Sequence, residues 1–357
     1  MTRLIGYGAY NLCFDRDLGP NQGKDFFQFI RDGGWPVNLM KIICFRRATL
    51  EGLPALPDPR TIPLYTPTGA INQLFLQNVQ KLVARARTLG FTVQICLFHY
   101  HAIARDEAPE NMPAVLRKPA NASVCDYMKY FFNPGSAVLT EQLKLVTALV
   151  NQLRFTNNLS NVIWEVANEL RVDSCGEAGN RAANCGVVSW INRIAQGIRD
   201  TAPPGSNPPI ITSTGTYTDQ PTTTVKNPIK GAANESITYN RHRPADGCSN
   251  PQFEPPLFDL HSGQWEALGT IAEYGPALKS GIHNRFFFGY GYQNPSFIIN
   301  TDGLHDVERT AEAVQSYATE AFRNGHHFAT KGWYPPHDPP YDIGQLDALR
   351  NANRAFP

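Results

Sequence analysis

The chain has 357 residues, with 32 Lys+Arg against 31 Asp+Glu, a net charge of +1, and 42% hydrophobic residues. This near-neutral balance argues against nucleic acid or an anionic membrane surface as partner, since both need a basic excess. The apolar content argues against disorder. The length fits one α/β barrel or two ordinary domains, and the 28 prolines belong in loops, because proline damages helix and sheet interiors.

No apolar run approaches the roughly 20 residues that span a bilayer. The start, MTRLIGYGAYNLCF, has neither an apolar core nor a cleavage site of small residues, so no signal peptide is visible. The expectation is a cytoplasmic protein by default, or a secreted one if a leader has been removed. The seven cysteines are odd in number and show no CxxC spacing, which speaks against a thiolate zinc site. Cys44 and Cys96 lie in apolar runs and read as buried thiols. Cys175 and Cys185 flank a Gly/Asn-rich loop, and whether they form a disulfide is open.

In chain order, LIGYGA near residue 4 is a short first strand, and GKDFFQFIRDGG is a helix stopped by Gly33 and Gly34. Residues 37–45 form an apolar run too continuous for a one-sided sheet, as in a parallel strand covered on both faces. Ile71, Leu74, Phe75, Val79, Leu82 and Val83 recur at helical spacing up to Gly90. Residues 91–98 are a third strand, and Leu139, Leu143, Val146, Leu149, Val150 and Leu153 form the next helical stripe. Residues 161–170, NVIWEVANEL, are a fourth strand with a polar end, followed by a helix with Val187, Trp190, Ile191, Ile194 and Ile198 on one face. Residues 208–215 are the fifth strand.

Two stretches compete for the sixth strand, 236–242 and 256–262, and two for the seventh, 269–275 and 285–292. A helix whose apolar stripe runs from Val307 to Phe322 and that ends at Gly325, a last strand at 326–333 and a closing helix with Ile343, Leu346, Leu349 and Ala352 complete the chain. This alternation predicts a single (β/α)8 TIM barrel over residues 1–357, with long strand-to-helix loops at 46–70, 102–135 and 216–256 that wall a cleft. A doubly wound open sheet is the structural alternative, but Gly6 and Gly8 lack the third glycine of a dinucleotide turn.

The best candidate site is the end of the fourth strand, where Asn168 and Glu169 put an amide beside a carboxylate on the catalytic rim of a barrel. A carboxylic acid there protonates a leaving group if apolar walls raise its pKa. The competing structural role for Glu169 is a helix cap or an ion pair with Arg171.

NVIWEVANEL resembles the fourth strand of the clan A glycoside hydrolases, the retaining (β/α)8 enzymes that include cellulases and mannanases. The resemblance implies Glu169 as general acid/base and Asn168 as contact to the sugar 2-hydroxyl. It also implies a nucleophilic carboxylate at the end of strand seven. In GTIAEYG that residue is Glu273; in RFFFGYGY the position falls on Tyr290 and the carboxylate is missing. Gly269, Gly275 and Pro276 disfavour a helix around Glu273, so Glu273 is preferred. His99 and His101, at the end of strand three, His242 after the first candidate for strand six, and Trp333 after strand eight fall where the clan contacts sugar. Tyr217, Tyr290 and Tyr292 add aromatic surface for stacking on sugar faces. Arg46 and Arg47 end strand two, but the clan's strand-two Arg has no exact counterpart, since Lys41 lies mid-strand, and the His-x-Tyr of strand six is absent.

The expected function is retaining hydrolysis of a β-linked oligo- or polysaccharide by double displacement, with a carbohydrate substrate and no cofactor or metal. One rival is a non-catalytic glycan-binding or structural barrel with a degenerate site. Another is a metal-dependent barrel hydrolase using His99 and His101 with His242, His261, His326 or His327.

Overall fold

The structure is a computed structural model. It describes residues 3–19, 24–48, 60–99, 102, 108–133, 135, 137–154, 161–168, 181–202, 210–212, 261–264, 297–300, 310–323, 325–330 and 343–356.

The strands are β1 (Ile5–Gly8), β2 (Leu39–Ile43), β3 (Thr92–His99), β4 (Val162–Asn168), β5 (Ile210–Thr212), β6 (His261–Gln264), β7 (Phe297–Asn300) and β8 (His327–Thr330). The helices are α1 (Phe26–Asp32), α2 (Gln73–Thr88), α3 (Val124–Phe131), α4 (Ala137–Arg154), α5 (Arg181–Thr201), α6 (Ala311–Arg323) and α7 (Ile343–Ala355). The eight strands form one sheet in the order β5-β4-β3-β2-β1-β8-β7-β6, and every pairing in it is parallel. Because β1 pairs with both β2 and β8, chain start and chain end meet inside the sheet, as a (β/α)8 barrel requires. α3 lies within the stretch 102–135, so that connection is partly helical rather than plain loop.

The helices start and stop where local chemistry dictates. Asp25 caps α1 by accepting from the Gln28 N–H at 3.0 Å, and Ser123 caps α3 by accepting from the Asp126 N–H at 3.0 Å. Past the ends of α2 and α6, Gly90 and Gly325 adopt φ of +75° and +76°, where a side chain would be strained. Among the described residues the helical stripes read from sequence lie mostly on the buried faces; Leu74 and Ile343, 55% and 39% exposed, depart from this because they sit in the first turns of α2 and α7.

The main core lies between sheet and helices. On its β2–β4 side, Phe98 packs against Phe45, Phe131 and Trp190, with ring centroids 5.5–6.0 Å apart. Trp190 is anchored by donating to Gln142 Oε1 at 2.7 Å, and Gln142 donates in turn to the Phe131 carbonyl at 2.9 Å. Inside the barrel, Leu4, Leu39, Ile163 and Ala329 form an apolar layer, and Tyr10, Ile43 and Cys96 form another. The glycines of β1 serve this interior. A Cβ on Gly6 would meet that of Ala329 at 2.7 Å, and one on Gly8 would meet the Tyr10 ring at 2.7 Å. They make room for neighbours and need no phosphate-binding role.

The sixth and seventh strands correct the sequence reading. β6 overlaps the second candidate, 256–262, and not the first, 236–242, so His242 does not end this strand. β7 is FIIN, outside both 269–275 and 285–292, and it pairs directly with β6 on one side and β8 on the other. GTIAEYG and RFFFGYGY fall between these two strands in sequence, outside the described residues. The apolar runs misled because two of them lie in the connection between β6 and β7, while the strand itself is only four residues long. Glu273 and Tyr290 fall in that connection, outside the described residues.

Candidate active site

Three strands of the continuous apolar type each carry one polar residue near their middle: Lys41 in LMKII, Gln94 in TVQICLFH and Glu165 in VIWEVAN. Each is two residues from a member of an interior apolar layer, so all three point into the barrel. Lys41 Nζ lies 3.2 Å from Glu165 Oε1, and Gln94 Nε2 donates to Glu165 Oε2 at 3.0 Å. Lys41 and Glu165 are 2% and 0% exposed, so this is an ion pair removed from water. Burial of two charges is costly unless their remaining hydrogen-bonding capacity is met. Here Gln94 meets part of it, and the Tyr10 ring, with its centroid 5.6 Å from Lys41 Nζ, meets part of the rest.

The same ammonium reaches the rim. Lys41 Nζ donates to Asn168 Oδ1 at 2.6 Å, and Asn168 Nδ2 lies 3.2 Å from His99 Nδ1. Strict alternation would put Glu165 and Asn168 on opposite faces of β4, yet both meet Lys41. The alternation therefore slips between them, while the register with β3 stays constant. β3 slips in step. Cys96 lies in an interior cluster, whereas Phe98, two residues on, packs outward on Phe131 and Trp190. The pairings Phe98 with Ala167 and His99 with Asn168 persist through the slip. Its effect is to turn His99 and Asn168 together towards the barrel axis at the carboxyl ends of their strands.

Burial also acts on the nearby thiols. Burial and the Glu165 charge hold the Cys96 thiol well above its usual pKa, and a hydrogen bond with Cys13 followed by burial does the same for Cys44. Cys13, Cys44 and Cys96 are all free and buried, as read from sequence for the latter two.

Of the predicted site residues, the structure brings Asn168 and His99 together. Glu169 is the residue immediately after β4 and lies outside the described residues, as do His101, His242, Glu273, Tyr290 and Trp333. Cys175 is likewise outside them. For the metal-site alternative, His101 and His242 lie outside the described residues, and His326 and His327 stand at the start of β8 and His261 at the start of β6, whereas His99 ends β3. In a parallel barrel those are opposite ends. Among the described residues, no group of three or more His, Cys, Asp or Glu could hold a metal ion.

The sequence reading missed Lys41, Gln94 and Glu165 as a unit. The signal was present: one polar residue inside each of three consecutive apolar strands, at positions that the register brings within one layer of each other.

Solved structures with this architecture are numerous. A hyperthermostable endo-1,4-β-D-mannanase from Thermotoga petrophila RKU-1 aligns with a TM-score of 0.57 at 15% identity, over 99% of this chain and 100% of that one. Endo-glycoceramidase II from Rhodococcus sp. aligns at 0.57 and 13% identity, over 97% of this chain and 78% of that one. A GH5-4 broad-specificity endoglucanase from an uncultured bacterium aligns at 0.55 and 14% identity, over 99% and 94%. At such identities these likenesses establish the (β/α)8 fold. A comparison with curated protein sequences finds no match. The family model described as cellulase (glycosyl hydrolase family 5) matches residues 44–254, more than half of the chain and a span that contains β3, β4 and β5. With its parallel barrel and an Asn-Glu pair at the end of the fourth strand, the chain belongs to glycosyl hydrolase family 5, the cellulase family, within the clan A glycosidases.

Proposed function

We propose that the protein hydrolyses a β-linked oligo- or polysaccharide with retention of anomeric configuration, by double displacement, using Glu169 as general acid/base. The observation that carries this reading is Asn168, buried at the end of β4 and held by Lys41 and His99 where a sugar 2-hydroxyl would sit. One amide hydrogen of Asn168 faces His99; the second has no partner among the described residues. In the first step a carboxylate attacks the anomeric carbon while Glu169 protonates the departing oxygen. In the second, Glu169 deprotonates water, which releases the sugar.

The attacking carboxylate belongs at the end of β7. Glu273 holds that place only where GTIAEYG is that strand. With β7 at Phe297–Asn300, the carboxylate nearest in sequence to its carboxyl end is Asp302, two residues on. We assign the nucleophile to Asp302. His101 and Trp333, which follow β3 and β8 in sequence, are proposed further sugar contacts, and residues 1–357 are proposed to form one domain.

The test is a panel of β-linked mannan, glucan and glycolipid-derived oligosaccharides, with product stereochemistry followed by NMR. Retention is expected, and Glu169→Gln should lower kcat by about 10²–10⁴-fold on substrates with poor leaving groups. Asp302→Asn should abolish turnover and Glu273→Gln should leave it intact. The reverse pattern returns the nucleophile to Glu273. Inversion would replace double displacement by single displacement, for which the carboxyls stand about 6.5–9.5 Å apart instead of about 5–5.5 Å. Binding of the panel without cleavage would make the protein a glycan-binding barrel.

A further inference from the structure

The hydrogen bonds around Asn168 have a direction that the chemistry of Lys41 dictates. An ammonium has three donors and no acceptor. The atom of Asn168 that sits 2.6 Å from Lys41 Nζ is therefore the amide oxygen, and a flipped amide would set donor against donor. The atom facing His99 is then the amide nitrogen, which only donates. At 3.2 Å, His99 Nδ1 must accept, so the ring proton resides on Nε2.

We propose that Lys41 is a positioning residue for the reaction: held by Glu165 and Gln94, it locks the amide of Asn168 in one orientation and, through it, His99 in the Nε2–H tautomer. The ion pair is the part of the device that keeps it in place. Glu165 accepts from both Lys41 and Gln94, at 3.2 and 3.0 Å, so the ammonium stays on the axis of the barrel and directed at the rim. The locked amide presents a donor to the substrate and never an acceptor, which matches the lone pairs of a sugar hydroxyl. A neutral residue at position 41 would leave the amide free to turn, and half of its orientations would offer the sugar the wrong group.

This inference rests on Asn168 as the sugar contact, and the experiment separates the two. The double variant K41M/E165Q removes both charges together and leaves an acceptor for Gln94, while K41R keeps a donor-only cation beside Glu165. Histidine labelled with ¹⁵N reports the tautomer of His99 without any substrate, with His99→Gln assigning the resonance. The wild type and K41R should show Nε2–H at neutral pH, and folded K41M/E165Q should show a mixture. On a glycoside cleaved by the wild type, K41M/E165Q should lose about 10–100-fold in kcat with KM changed less than about threefold, and K41R should recover most of it. A wild-type Nδ1–H tautomer overturns the proposal, as does a folded double variant with unchanged tautomer and kcat. A wild type that cleaves no glycoside overturns the functional reading, while the spectrum still decides the hydrogen-bond order.

Discussion

The two faces of β3 and β4 are built for different ends. Outward, Phe98 joins the aromatic packing of Phe45, Phe131, Phe132 and Trp190, with Phe132 and Trp190 only 4.8 Å apart edge to face, and Trp164 is buried in the same core. Nothing in this layer depends on direction: burial of large rings stabilises it in proportion to area. Inward, the same strands carry Gln94, Glu165, His99 and Asn168, whose value depends on which atom donates and which accepts. The comparison teaches that a barrel strand of glycosyl hydrolase family 5 gains stability on one face and spends part of it on orientation at the other.

The largest expected effects break that division if it is wrong. Trp190→Ala should cost about 3–5 kcal/mol, read by denaturant unfolding, because it opens a cavity and strips Gln142 of a partner. Its folded fraction should keep the wild-type kcat. Glu165→Leu alone should cost a similar ~3–5 kcal/mol, since it strands the Lys41 ammonium in the barrel. K41M/E165Q should instead sit much nearer the wild type in stability while losing activity. If the double variant is as unstable as the single one, the ion pair is structural support after all.

A smaller effect sharpens the contrast between the rim and the opposite end of the barrel. His327, at the start of β8, accepts from the Leu4 N–H at Nδ1, at 3.0 Å, and its Nε2 has no partner among the described residues. Burial, with help from the positive charges of His326, the N-terminus and Arg3, lowers its pKa from 6.5 to about 4. The folded ring stays neutral where the unfolded one is protonated, so stability is lost as pH falls from 6.5 towards 4. The loss should total about 3 kcal/mol at roughly 1.4 kcal/mol per pH unit. His327→Leu should flatten this slope in thermal melts across pH 4–7. The smallest effect is at the surface: Asp25→Ala removes the α1 cap and the 2.7 Å bond from Arg85 Nε, and should cost about 1 kcal/mol.

How far the chain could be read in advance depended on element length. Long runs such as residues 91–98 and 161–170 coincide with β3 and β4 to within two residues, because periodicity over seven or eight positions is unambiguous. β6 and β7, of four residues each, carry no such pattern, and more apolar stretches in the connection outcompeted FIIN. The Asn168-Glu169 pair was legible because it ends a strand. Its orientation was not, since the slip between Glu165 and Asn168 contradicts the alternation that any sequence reading must assume.

Neutral charge, abundant proline, alternating strands and helices and the NVIWEVANEL motif were enough to specify a clan A barrel and the rim on which its chemistry sits. Tertiary structure alone decided which strand is seventh, and that Lys41, 124 residues before Glu165, meets it inside the barrel. Composition and periodicity are local properties that a chain displays in order. Pairing of charges and the direction of a hydrogen bond arise only when distant strands are brought side by side, and they are what turns an amide at a strand end into a donor of fixed sense.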